Sequence, residues 1–469
     1  MNEVQPLKKE TVSRMKIASF GLGGIIAQLI IGAYTILIFY YYEVELGLSS
    51  ILVGLSFVIY AIWNMINDPL IGYLTDKPFR WSKKLGLRTP WVIFGGFFLI
   101  ISFYFLFAVP DFGDVKSNPW PLFWYMVIIT CLVDTFYTVY TNHYFGGIGN
   151  IFRTKDERRK GSTIIMLCST FGSLLGQGII VPAVVRYGDR SSYVRFGLIA
   201  SIILGIFLIF LIPGVYENEV VKKRYLQIFE FLDTKKMPYW QFLKITFKQK
   251  NFMAVTLAIT LFTLAQTLNA ASMLYMLHDV LNATVQDMQI VFVVFFLSFL
   301  ISLPIWSMWL SKKIDHIYLL MIGIFCFGVM HTNALYANTV IDLLPSVVWG
   351  GVGNAAMATA MWSIVADTMD EVNVACGRHV EAGLVGIRNF FFRAAYIFVG
   401  LVIAGVHIAT GYVPGASEQT ELAKLGVRIH TGLFPVFFDT IAAIILWKYY
   451  DLRGDKRVQL MAQRKKLGL

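Results

Sequence analysis

The sequence is poor in charge. Only 15% of its 469 residues are Asp, Glu, Lys or Arg, against roughly a quarter in soluble chains. Cysteine is scarce too: Cys131, Cys168, Cys326 and Cys376 are the whole complement, and none has CxxC spacing, which argues against a disulfide framework or a zinc ribbon. No HExxH, no GxSxG and no run of clustered Cys and His occurs, so neither a metal-dependent nor a serine-type enzyme buried in a membrane is supported. We read the chain as a non-enzyme that needs no resident cofactor or metal. No stretch has the composition of a soluble domain, which leaves a receptor or signalling role without support.

What the chain has in quantity is apolar surface. Hydrophobic residues make up 57%, with 38 Phe, 23 Tyr and 11 Trp, and mean hydropathy is +0.63. Length alone would allow about three soluble domains. At roughly 35 residues per span and loop it equally allows about twelve membrane helices, and the composition selects the second. Apolar runs occur at about 17–42, 51–74, 91–109, 121–147, 162–186 and 194–213, then at 251–277, 286–310, 317–337, 344–366, 382–409 and 430–450. The polar N-terminus, MNEVQPLKKETVSRMK, is followed by no cleavage site, so the first run reads as a span rather than a signal peptide.

The net charge of +11 would suggest nucleic acid in a soluble protein. Its distribution says otherwise. With the N-terminus inside, 32 of the 40 Lys and Arg fall on inner segments and six on outer loops, leaving Arg388 and Arg393 within a span. That asymmetry predicts a multi-pass membrane protein with both termini cytoplasmic and no nucleic-acid partner. The cell membrane is the expected location.

Six spans, a basic linker and six more spans form the layout of the major facilitator fold. The expected organisation is a six-helix bundle over 1–213, a cytoplasmic linker over 214–250, a second bundle over 251–450 and a tail over 451–469. Within the linker, MPYWQFLKITFKQKNF reads either as an interfacial amphipathic helix or as a solvated connector.

Three stretches go beyond fold class: IWNMINDPLIGYLTDKPFRWSKKLGLRTPW, ADTMDEVNVACGRHVEAGLVGIRNFFFRAAY and GASEQTELAKLGVRIHTGLFPVFF. Their order and content resemble the glycoside–pentoside–hexuronide:cation symporters, the melibiose-permease-like family of the major facilitator superfamily. The resemblance covers most of the chain. It implies a transporter of a sugar or glycoside driven by Na+ or H+. Asp76, at the cytoplasmic end of the second span, and Asp367, Asp370, Glu371, Arg378 and Glu381, before the eleventh, then read as gate charges that pair in one state and part in another. A static charged collar is the alternative.

Ionisable side chains at bilayer depth are costly and therefore candidates for function. Asp68 and Asn64 stand four residues apart on one helix face; Asp134 lies near the middle of the fourth span. Gln28, Asn64, Asp134 and Arg393 all count to near the midplane, where transporter sites lie. By position, the resemblance implies a cation site at Asp68, Asn64 and Thr141. It places Gln28 where the family has an acid that grips the sugar and Arg393 where it has a Lys beside the cation site. As further substrate candidates, with Arg393, we add Tyr137 and Phe145, one turn to either side of Thr141, Asn389, one turn before Arg393, and Trp362 as a stacking surface. Here the family's pattern is thinned, because two of its three cation-site carboxylates are replaced by Asn64 and Thr141. Arg393, always protonated, would pair with Asp68 until a cation displaces it. Asp134 is open between a cation ligand, a partner for Arg388 or Arg393, and a cap on a buried Ser/Thr network. Two other readings of the function remain: an uncoupled facilitator, and a carrier of a lysophospholipid or similar amphiphile, for which a cavity rich in Phe and Tyr suits an acyl chain.

Overall fold

A computed structural model describes residues 12–75, 85–152, 155–217, 239–377 and 380–467. Among these, twelve helices are long and apolar enough to cross a membrane. They are α1 (Arg14–Glu45), α2 (Ser50–Asp68), α3 (Thr89–Phe107), α4 (Trp120–Ile148), α5 (Lys160–Val184) and α6 (Arg190–Val215). The remainder are α7 (Lys250–Val280), α8 (Val285–Lys312), α9 (His316–Asn333), α10 (Val340–Cys376), α11 (Leu384–Thr410) and α12 (Glu421–Tyr449). Lipid offers no partner to a backbone N–H or C=O, so helices that bond their own backbone are the natural solution for such runs. Large apolar side chains such as Ile209, Phe210, Ile301 and Phe325 point outward, as a bilayer-facing surface requires. The protein is an all-α, integral, multi-pass membrane protein.

The chain divides into two compact units, one comprising residues 1–34, 62–113 and 124–236, the other residues 35–61, 114–123 and 237–469. In the first unit α1 packs against α4 and α5. Tyr140 and Tyr144 of α4 donate to the carbonyls of Gly23 and Phe20 at 3.0 and 2.8 Å, and the Tyr144 ring stacks on Phe20 with centroids 4.7 Å apart. On the other flank Gly172 of α5 lies against bare backbone: a Cβ there would sit 2.6 Å from the carbonyl oxygen of Ile25 and 2.7 Å from its Cα. Helices without a hydrophobic drive between them gain attraction by such close approach.

The second unit has its core between α7, α9, α10 and α12, around Ile259, Leu320, Ile324, Met357, Ile364 and Leu446. Two short helices join it. Tyr239–Lys248 buries Phe242 against Phe252, Val372 and Leu384 while Trp240 stays exposed, so this end of the linker is an amphipathic helix lying on its own unit. Gly454–Leu467 buries Leu460 in the main core.

Gly172→Leu should therefore lower the thermal stability of detergent-purified protein by the equivalent of ~1–3 kcal/mol or more, because the neighbour is backbone and has nowhere to go. Gly205→Ala, which meets nothing within 4 Å, should be neutral or slightly stabilising. Melting curves of the two variants, side by side, check the contrast.

Candidate functional site

The polar faces of α2 and α4 meet inside the first unit. Asn64 Nδ2 donates to Asp134 Oδ1 at 2.7 Å, and Thr138 Oγ1 donates to Asp68 Oδ1 at 2.8 Å; each pair is separated by 70 residues. A step of four along α2 is matched by a step of four along α4, the register of two parallel helices. Asn67 Nδ2 adds a bond to Asp134 Oδ2 at 3.3 Å, and Trp63 Nε1 donates to Thr135 Oγ1 at 3.1 Å.

Burial differs between the two acids. Asp134, Asn64 and Asn67 are 4%, 1% and 2% exposed, while Asp68 is half-buried. A buried carboxylate is tolerable only where donors face its oxygens, and the two amides supply one to each oxygen of Asp134. Asp134 thus sits in a buried polar network with the amides of Asn64 and Asn67. Asn64, expected beside Asp68, bonds across to Asp134. The hydroxyl that reaches Asp68 belongs to Thr138, whereas Thr141 donates to the carbonyl of Tyr137 at 2.7 Å. Thr138 and Asn67 are the residues that sequence reasoning passed over: Asn67 was visible as a further polar residue in the apolar run beside Asp68, whereas Thr138 is picked out only by the register of the two helices.

The expected substrate residues are distributed over both units. Gln28 and Tyr137 are half-buried and Phe145 is exposed in the first; Asn389 and Arg393 are half-buried on α11 in the second. Trp362 lies on α10, its side chain outside the described residues. His143 is buried and stacks on Trp91 at 5.9 Å. His331 bonds Asp439 at 2.8 Å between α9 and α12.

Among the gate charges, Asp76 and Arg378 lie outside the described residues, as does the side chain of Glu381. The other three find partners in their own unit. Arg457 Nε is 2.9 Å from Asp367 Oδ2, and Arg464 Nη1 is 2.6 Å from Asp370 Oδ2. Asn251 Nδ2 donates to Glu371 Oε1 at 2.8 Å and to Asp451 Oδ1 at 3.1 Å. Arg457 and Arg464 are seven residues apart, two turns along one face of the terminal helix, a pairing partner hidden in what reads from sequence as a tail. Asp451 also bonds Lys456 at 2.7 Å, and that bond, followed by the Asn251 bond, holds its carboxyl below the usual range. The α10 carboxylates thus fasten the terminal helix to the unit.

Asp134→Ala should destabilise the protein by ~1–3 kcal/mol, the usual cost of leaving buried donors unpaired, here the amides of Asn64 and Asn67. Thr141→Ala, which removes only a bond to its own helix, should cost less than half as much. Thermal melting of both variants checks this.

The geometry can be set beside known proteins. A family model described as MFS/sugar transport protein matches residues 19–453. Sodium-dependent lysophosphatidylcholine symporter 1 of Xenopus tropicalis is 23% identical, over 85% of this chain and 79% of that protein. Lactose permease of Lactobacillus delbrueckii subsp. bulgaricus is 21% identical, over 97% of this chain and 73% of that one. In fold, a crystal structure of the nucleoside transporter NupG matches with a TM-score of 0.64 at 13% identity, covering 93% of this chain and 100% of that one. The fold is that of the major facilitators, and the twelve-span expectation holds. The chain belongs to the MFS/sugar transport protein family, the group of major facilitator symporters to which its sequence motifs pointed.

Proposed function

We propose that the protein is a secondary transporter of a sugar or glycoside, working by alternating access and coupled to Na+ or H+. The observation that carries this reading is the α2–α4 polar register, in which a half-buried carboxylate, Asp68, stands beside the hydroxyl of Thr138 one turn from the fully buried Asn64–Asp134 pair. Oxygen ligands in this number suit a monovalent cation, and a carboxylate at this depth is equally a place to carry a proton. Asp134, held by two amides, keeps the frame; Asp68 does the binding. On this reading Arg393 of α11 holds the solute, and Arg393→Ala abolishes transport while leaving the fold intact. The membership in a sugar-transport family supports the cargo class.

A second reading is favoured by one observation, the similarity over most of the chain to a protein named a sodium-dependent lysophosphatidylcholine symporter. Under it the cargo is a lysophospholipid or other amphiphile, and Arg393 binds the phosphate.

A thermal-shift panel on detergent-purified protein separates the two, since a ligand of the native state raises its apparent stability. The panel crosses mono- and disaccharides, uronates and lysolipids with Na+, Li+ or choline, at pH 6 and pH 8. A sugar that stabilises more in Na+ than in choline, or more at pH 6 than at pH 8, is the expected result. Stabilisation by lysolipid alone would replace the sugar reading with the second. A sugar effect indifferent to both cation and pH would mark an uncoupled facilitator.

A further inference from the structure

A second set of buried ionisable groups is found wholly within the second unit. Its centre is Glu43, at 0% exposure, on the last turn of α1. Three donors converge on that carboxylate: the hydroxyls of Ser50, at the start of α2, and Tyr275 of α7, and Nδ1 of His407 of α11 at 3.0 Å. From His407 the chain of contacts continues. Its Nε2 lies 3.2 Å from Nε2 of His430 on α12, and Nδ1 of His430 lies 2.7 Å from the hydroxyl of Ser272 on α7. His407 and His430 are 1% and 0% exposed.

The other charged and titratable groups that face this chain come from the same helix ends. Tyr412, just past α11, stacks its ring on His407 with centroids 4.1 Å apart and donates to Asp279 at 2.9 Å. Asp279 also pairs with the partly exposed His278 at 2.9 Å, and Glu45 acts on His278 from α1. Tyr40 packs its ring on Tyr275 at 4.9 Å. Burial and the two carboxylates, Asp279 and Glu43, hold the Tyr412 phenol well above its ordinary value, so it stays protonated and leaves the exchangeable proton to the imidazoles. Three of the helices wind as single π turns here, at Tyr41–Glu45, Met276–Val280 and Ile429–Leu433. Such turns are rare and concentrate at functional sites.

The geometry fixes what this chain can hold. An Nε2···Nε2 contact carries one hydrogen. With Nδ1–H of His407 donated to Glu43, a neutral His407 must accept at Nε2. His430 then donates from Nε2 and accepts from Ser272 at Nδ1. One further proton fits without losing a bond: it joins Nδ1 of His430, the Nε2 hydrogen of His430 passes to Nε2 of His407, and the Ser272 hydroxyl turns from donor to acceptor. Two N–H bonds form and one breaks, for a net gain of one proton. The product is a His407 imidazolium against the Glu43 carboxylate, with His430 still neutral but in its other tautomer. The gain converts a lone buried carboxylate into an ion pair, and the Tyr412 ring face favours the cation. Among the described residues no three His, Cys, Asp or Glu side chains are arranged to hold a metal ion.

We propose that Glu43, His407, His430 and Ser272 form a proton-binding site, separate from Asp68, that takes up one proton and with it ties the ends of α1 and α2 to those of α7, α11 and α12. The proposal rests neither on the cargo nor on the cation role of Asp68.

The test uses the full chain, labelled with 15N-histidine and reconstituted in liposomes without any solute. Solid-state NMR from pH 5 to 9 reads each ring nitrogen as protonated or not, and His407→Gln and His430→Gln assign the two rings. The expected result is one imidazolium at His407 at the acid end and none at the alkaline end, with His430 neutral throughout and exchanging tautomer over the same transition. Glu43→Gln should move that transition down by at least one pH unit. Ser272→Ala, which removes only a hydroxyl, should keep the single-proton uptake while shifting its midpoint, and it serves if Glu43→Gln fails to fold. Two rings that titrate independently, rings that do not change across this range in the wild-type chain, or a transition untouched by Glu43→Gln would each overturn the proposal.

Discussion

A polar group in a bilayer has no water to turn to, and the placement of nearly every functional side chain in this protein follows from that. The backbone solves the problem by helix formation. Side chains solve it by meeting a partner on a neighbouring helix at the same depth. The Asn64–Asp134 and Asp68–Thr138 bonds share one offset of 70 residues, so a single choice of register between α2 and α4 satisfies both. Sliding one helix by a residue would strand two carboxylates at once. The same constraint places Glu43 under three donors.

Much of this was legible in the sequence, and the reasons for the rest are physical. Apolar runs gave the spans, because hydropathy is local and lipid enforces it. Asp68, Asn64 and Asp134 stood out because a polar residue in an apolar run is rare. Their partners did not stand out. Thr138 is a common helix residue whose importance depends on the register with α2, a non-local quantity. Arg457 and Arg464 sit in a segment whose charge suggests a solvated tail until Leu460 is seen to bury itself in the core. Glu43 fell one residue past the first apolar run as drawn, where an acid reads as loop, yet the helix continues through it by a π turn. His407 and His430 are at the ends of their runs and separated by a loop, so only the fold brings their rings together.

The two buried sets of groups differ in a way that matters for function. In the α2–α4 set the more buried acid, Asp134, is bound by the amides of Asn64 and Asn67, which do not themselves titrate near neutral pH. In the set around Glu43 the partners are imidazoles, whose unperturbed pKa of about 6.5 lies in the physiological range. Amide-bound and imidazole-bound carboxylates are thus suited to different ligands. One chain holds both, the first at mid-helix and the second where helix ends gather.

The claim that most of the account depends on is that Asp68 carries the coupling ion. Uptake into proteoliposomes tests it directly, using the solute that stabilises the protein best and an imposed gradient of Na+ or of H+. Wild-type protein should accumulate that solute above its outside concentration under one of the two gradients. Asp68→Asn should only equilibrate it. Accumulation by Asp68→Asn equal to wild type would contradict the account and move the coupling site elsewhere in the chain.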